Sequence, residues 1–305
     1  MMTSPQISKR EKMQVNFSDR PYLQSAVFAA LVLFVATAVA FIWVALVYYR
    51  KKRSGLPGGN ELYLDCAYFS EIGKRPSQQD SVFISSLDDY RKYGITALVA
   101  DGMGGMRYGG EIAQKVADFV EGMCPMSFFA TEQNADILRS FSNELYEEYK
   151  LQGGSTLALV NISGNYMNYY SVGDSDIILI RDGTPTILNP RQNYMTLLIK
   201  SLCRNNKTTQ TAYTNAKAKA LIDFMGNQDP KVIYTRKPIR IFDGDKIIVS
   251  SDGLTDAVSL RHMKHYIKDS ASVTATLLKH AVAGRKRPKQ DNYTAIVFSV
   301  KRGYL

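Results

Sequence analysis

Two stretches of the chain decide its fold: ITALVADGMGG at 95–105 and KIIVSSDGLTD at 246–256. Each opens as a short apolar, β-branched run of the kind that fills a buried strand. Each then stops at an aspartate followed by glycine, where the backbone can turn sharply. The same placement recurs in SVGDS at 171–175 and in KQDN at 289–292, ahead of a last apolar run, YTAIVFSV, at 293–300. Carboxylates crowded at strand ends repel one another unless a cation neutralises them, and an oxygen-only donor set suits Mg²⁺, Mn²⁺ or Ca²⁺. One Asp-Gly pair is ordinary turn chemistry. Four such sites in one domain point to metal.

Outward from these anchors, further strands are expected at 62–69, 81–85, 156–161, 166–172 and 176–180. Helical spacing of apolar residues marks 110–121, 135–150, 260–267 and 273–283. Asn165 and Arg181-Asp182-Gly183 supply hairpin chemistry between strands. Grouped antiparallel strands with helices between the groups predict an α+β fold, two sheets with helices packed outside them. The polar stretch 189–228, rich in Asn and Lys, reads as an irregular insertion over or beside the site.

The chain has 305 residues, enough for one large domain and an appendage, and its 45% hydrophobic and 22% charged residues are those of a globular protein. The net charge of +10 is scattered, with clusters only at Arg50–Arg53 and Arg285–Arg287, so no nucleic-acid partner is expected. Cys66, Cys124 and Cys203 lie far apart without a CxxC spacing and read as free thiols. The three histidines, His262, His265 and His280, fall in the C-terminal helical region, and there is no GxSxG elbow or P-loop. Hydrolysis by metal-activated water is the chemistry that remains.

Residues 26–49, AVFAALVLFVATAVAFIWVALVYY, carry no charged side chain, and about 20 such residues suffice to cross the hydrocarbon core as a helix. A membrane anchor is expected there, after a short tail at 1–25. Arg50–Arg53 would meet anionic headgroups and favours a cytoplasmic C-terminal domain. A Gly/Pro linker runs to residue 60, so the soluble domain is expected at 61–305.

In order, GKRPSQQD (73–80), DGMGG (101–105), GGST (153–156), SVGDS (171–175), SSDGLTD (250–256) and QDNYTAIV (290–297) resemble the metal-dependent serine/threonine phosphatases of the protein phosphatase 2C (PPM) family in its compact bacterial form. The resemblance covers Tyr63 to Val300 and implies a four-layer α-β-β-α sandwich with two Mn²⁺ or Mg²⁺ ions in a cleft between the sheets. It implies that Asp101 bridges both ions, that the Gly102 carbonyl holds one, and that Asp252 and Asp291 hold the other. Asp80 would orient metal-bound waters, Arg75 would clamp the substrate phosphate, and Asp174, with Asp256 nearby, would help hold a third ion. The insertion at 189–228 would contain a mobile flap. The reaction implied is hydrolysis of phosphoserine or phosphothreonine in proteins by a metal-bridging water, with substrates made by a serine/threonine kinase. Gln79 and Asp176 depart from the family's usual Glu and Arg, and Met103 stands where eukaryotic members carry a histidine. A catalytically weak phosphatase-fold binding module and a phosphatase of small phosphate esters are the alternatives; retention of Asp101, Asp252 and Asp291 argues against the first.

Overall fold

The computed structural model describes residues 62–87, 90–103, 105–285 and 288–302. The membrane span expected at 26–49, its basic flank and the linker lie outside them. Among the described residues no helix is long and apolar enough to cross a membrane.

Eleven strands are described: β1 (Leu62–Glu71), β2 (Asp80–Ile84), β3 (Ile95–Asp101), β4 (Leu157–Ser163), β5 (Tyr166–Val172), β6 (Asp176–Arg181), β7 (Thr184–Ile187), β8 (Ile233–Tyr234), β9 (Ile239–Arg240), β10 (Lys246–Ser250) and β11 (Tyr293–Arg302). They form two antiparallel sheets. One runs β1-β11-β10-β6-β7 and the other β2-β3-β4-β5-β8, with β9 also pairing β5. The helices are α1 (Tyr90–Tyr93), α2 (Gly109–Gly122), α3 (Thr131–Tyr149), α4 (Tyr194–Arg204), α5 (Gln210–Tyr213), α6 (Asp252–Ala257), α7 (Leu260–Met263) and α8 (Ala271–Ala283).

The central strands read as unbroken apolar runs because both of their faces are covered. Along β3, Val99 joins Val160, Ile177, Val249, Ile296 and Phe298 in the layer between the sheets. Its neighbour Leu98 points the other way, to Ile112, Val116 and Val120 of α2 and Ala135, Leu138 and Leu145 of α3. On the far side Ile178, Ile248 and Val297 pack under Leu254 of α6 and Ala275, Leu278 and Val282 of α8. Three apolar layers therefore separate four layers of structure, the expected α-β-β-α sandwich. The Asp182-Gly183 turn between β6 and β7 has φ of 51° and 72° at its two residues, the left-handed values a two-residue hairpin needs.

The insertion corrects one expectation, since 189–228 is not irregular throughout. Residues 194–204 form α4, with the side chain of Asn193 accepting from the Thr196 amide as an N-cap. Met195, Leu198, Ile199 and Leu202 recur at helical spacing inside the polar stretch. No residue of α4 is fully buried, so the helix lies over the body rather than in its core. His262 Nδ1 lies 2.8 Å from Ser259 Oγ.

Candidate active site

The aspartates end up together because β3, β10 and the turn after β5 all stop at the same edge of the two sheets. There a cavity of about 320 Å³ is lined by Arg75, Asp101, Asp174, Asp252 and Asp291, together with Met103, Thr156 and Lys219. Asp80 faces Asp101 across the β2–β3 pairing and is 7% exposed. Asp256 does not line the cavity; it lies one turn on from Asp252 along α6.

Each side chain is held by its own motif. The Asp101 amide donates to Thr156 Oγ1 at 2.9 Å, and the Thr156 amide donates to the Asp101 carbonyl at 2.8 Å. Thr156 Oγ1 lies 2.6 Å from Ser175 Oγ, which joins the GGST and SVGDS segments. Ser251, just before Asp252, donates to Asp80 Oδ2 at 2.8 Å and accepts from the Thr294 amide at 3.0 Å. Asn292 donates to the carbonyls of Ile72 and Ser77 and accepts from the Gln79 amide, which fastens the Arg75 loop beside Asp291. Gly253 permits that packing: a Cβ there would sit 2.0 Å from the Asn292 carbonyl oxygen. Arg75 donates to Asp291 Oδ2 at 2.6 Å, both side chains being about two-fifths exposed.

Of the departures from the family pattern, Asp176 has a local account, and nothing in the structure explains Gln79. Beside it, Gln78 Oε1 accepts from the Asp80 amide at 3.2 Å and its Nε2 donates to Ser70 Oγ at 2.8 Å, so a neutral amide braces Asp80. Asp176 is fully buried and is met by Arg191, whose Nε donates to Asp176 Oδ1 at 2.8 Å and whose second arm reaches Oδ2. The same arm donates to Thr255 Oγ1 at 2.9 Å. The insertion thus brings a guanidinium to the position after SVGDS, as the partner of Asp176. Around it Asn189-Pro190-Arg191-Gln192-Asn193 lies along Gly173–Ile177 as a strap. Asn189 Nδ2 donates to the Ser175 carbonyl while its Oδ1 accepts from the Ile177 amide. Gln192 bonds the Gly173 backbone through its own amide and its Oε1, and Asn193 Nδ2 donates to Asp174 Oδ2. No local periodicity marks the strap residues in the sequence.

Crowding shows in the acid strengths. Burial, then the charges of Asp80, Asp252, Asp174 and Asp291, holds the Asp101 carboxyl well above the ordinary range. Burial also lifts Asp80 to about 6, against hydrogen bonds from Thr294 and Ser251 and with the repulsion of Asp252 and Asp291. Asp174 is raised to about 6 by burial and then by Asp252. Side-chain cations answer this charge: Arg75 on Asp291, Lys219 on both Asp252 and Asp256, and Arg191 acting on Asp174 from its seat on Asp176.

Among the described residues no three carboxylate, imidazole or thiolate side chains converge into a ready-made metal cage. The donor set nevertheless fits a pair of Mn²⁺ or Mg²⁺ ions. These are hard cations that keep several waters and take only one or two carboxylates each. Asp80 Oδ1 is buried with no hydrogen-bond partner, an acceptor free for such a water. At Gly102 a Cβ would lie 2.6 Å from the Gln79 and Gly109 carbonyl oxygens, so only bare backbone fits beside Asp101.

Residues 70–284 match the protein phosphatase 2C family. The chain is 29% identical over 203 residues to a protein phosphatase 2C-type protein of Streptococcus pyogenes, covering 62% of this chain and 78% of that one. It is 24% identical over 240 residues to the serine/threonine protein phosphatase PstP of Mycobacterium tuberculosis, covering 74% of this chain and 43% of PstP. Among solved structures, the S. agalactiae serine/threonine phosphatase superimposes with a TM-score of 0.67 at 21% identity, over 78% of this chain and 100% of that one. The PstP catalytic domain in complex with two manganese ions does so with a TM-score of 0.62 at 22% identity, over 79% and 99%.

Proposed function

Since the chain belongs to the protein phosphatase 2C family of metal-dependent serine/threonine phosphatases, we propose that its acid-lined cleft hydrolyses phosphoserine and phosphothreonine in proteins. The observation that carries this reading is the convergence of Asp101, Asp174, Asp252 and Asp291 with one guanidinium, Arg75, on a single open cavity. Asp101 and the Gly102 carbonyl on one side and Asp252 and Asp291 on the other are the residues that would hold two Mn²⁺ or Mg²⁺ ions, with Asp174 serving a third. When bound, such ions supply a water of lowered pKa and offset the charge of the transferring phosphoryl group.

The chain's own groups do the rest. Arg75 is anchored on Asp291 yet open to the cavity, and its planar fork suits two phosphoryl oxygens at once. Asp80, braced by Ser251 and Gln78, keeps one oxygen free to accept a proton from a water and to orient it. The strap on Gly173–Ile177 fixes the Asp174 carboxylate in the cavity wall. Met103 lines the wall without a titratable group, so protonation of the leaving serine or threonine oxygen falls to solvent in the cleft.

The apolar stretch 26–49 with Arg50–Arg53 supports a single membrane anchor that leaves the catalytic domain in the cytoplasm, where kinase products are its substrates. The full-length protein is expected to release phosphate from a phosphothreonine peptide with Mn²⁺ or Mg²⁺ and to stop in excess EDTA. Full activity in EDTA would overturn the reading. Reporter fusions at the C-terminus test the orientation, and an extracytoplasmic signal would overturn it.

A further inference from the structure

From Gly183 to Ile222 the chain contains no acidic residue and six basic ones. Two are committed to the site: Arg191 to Asp176, and Lys219 to Asp252 and Asp256. The other four, Lys200, Arg204, Lys207 and Lys217, are exposed. None of them has a carboxylate within ion-pair distance among the described residues, in contrast to Lys115, Lys150, Lys279 and Lys301, each of which has one.

This basic surface is continuous with the cleft. Asn193, the N-cap of α4, donates to Asp174. The first turn of α4 is then stitched to the cavity wall, with the Tyr194 amide donating to the Ala220 carbonyl and the Met195 amide to the Ala218 carbonyl. Lys219, Ala220 and Leu221 line the cavity itself. At a rise of about 1.5 Å per residue, Lys200 and Arg204 stand roughly 9 and 15 Å along α4 from that junction. An extended peptide advances about 3.3 Å per residue, so a chain with its phosphate in the cleft and running along α4 would meet these cations roughly three to five residues away.

We infer that α4 and the loop after it form a docking surface for the acidic flanks of a phosphorylated peptide, acid residues or further phosphates three to five positions from the one removed. The inference rests on the phosphatase reading and names the substrate class within it. Complementary charge at this range raises the encounter rate and fixes which way the peptide lies, and salt weakens it because the screening length is about 8 Å at 0.15 M. An anionic membrane could use the same cations, but the junction with the cavity at Tyr194–Met195 favours a ligand whose other end is in the site.

The test compares kcat/KM of the full-length protein, with saturating Mn²⁺, on two phosphothreonine peptides of equal length. One carries Asp and Glu at the third to fifth positions on both sides, the other Ser and Gly. The acidic peptide is expected to be preferred about tenfold at low salt, the preference fading toward one at 0.5 M salt. The K200E/R204E/K207E protein should lose that preference while keeping the wild-type rate on the neutral peptide. A wild-type ratio near one, or a ratio untouched by the triple substitution, overturns the inference. In the second case loss by the variant of the extra binding that phosphatidylserine adds over neutral vesicles would assign the surface to lipid. Failure of wild type to hydrolyse either peptide would sink the phosphatase reading instead.

Discussion

Replacing Arg191 by methionine removes the one cation that meets Asp176 among the described residues. The Asp176 side chain is 0% exposed and the Arg191 side chain 22% exposed, so the acid cannot turn to solvent when its partner goes. Thr255 Oγ1, 2.6 Å from Asp176 Oδ2, remains as a single hydrogen bond. Stranding a buried charge this way typically costs about 3–5 kcal/mol, and for a domain of this size each kcal/mol moves the melting temperature by roughly 2–4 °C. Thermal unfolding in EDTA should therefore show Arg191→Met melting roughly 6–20 °C below wild type. Asp176→Asn should lose less, because the guanidinium left behind reaches water. The double variant should recover most of the loss, since neither charge is then buried. Arg191 also donates to Thr255, whose hydroxyl bonds the Asp252 carbonyl, so Mn²⁺ affinity should fall in Arg191→Met as well. A melting point within 2 °C of wild type, with no recovery in the double variant, would refute the reasoning.

The metal-free protein should become more stable as pH falls from 7 toward 5. Asp80 and Asp174 have folded pKa values of about 6 against an ordinary 3.8, so folding favours their protonated forms, and that contribution fades as pH rises through 6. Melting curves in EDTA across this range check it, and Asp80→Asn/Asp174→Asn should flatten the dependence. Asp174→Ala should leave two tight Mn²⁺ sites in calorimetric titration while slowing turnover, because the carboxylate, hydrogen-bonded to Asn193 of the strap, lies outside the set that would hold the pair. Unchanged turnover at saturating metal would remove Asp174 from the mechanism.

The parts of the fold legible in the sequence are those whose signal is local. β3 and β10 announce themselves as apolar runs because both faces are covered, and Asp101 and Asp252 stand out because each ends such a run. The strap was not legible: Asn189, Arg191 and Gln192 act on residues 12 to 19 positions away through side-chain bonds, and nothing periodic marks them. Asp176 looked like an unexplained departure for the same reason, since its partner comes from another segment. Lys219 likewise gains meaning only when its loop is laid over α6. α4 could have been found, because Asn193 and the spacing of Met195, Leu198, Ile199 and Leu202 are helix signals; its polar surroundings masked them. β8 and β9, two residues each, are set by pairing with β5 and have no pattern of their own.

The central claim is that the aspartates at the strand ends are ligands of catalytic cations and not turn residues. Asp252→Asn and Asp291→Asn each exchange a carboxylate for a neutral amide of the same shape, which leaves the turn intact and removes the charge a divalent ion needs. The deciding measurement is turnover of each variant on a phosphothreonine peptide at saturating Mn²⁺, with circular dichroism and melting curves confirming the fold. A loss of at least about a hundredfold, equivalent to about 2.7 kcal/mol of barrier, is the expected result for each. Near wild-type turnover in both folded variants would contradict the account.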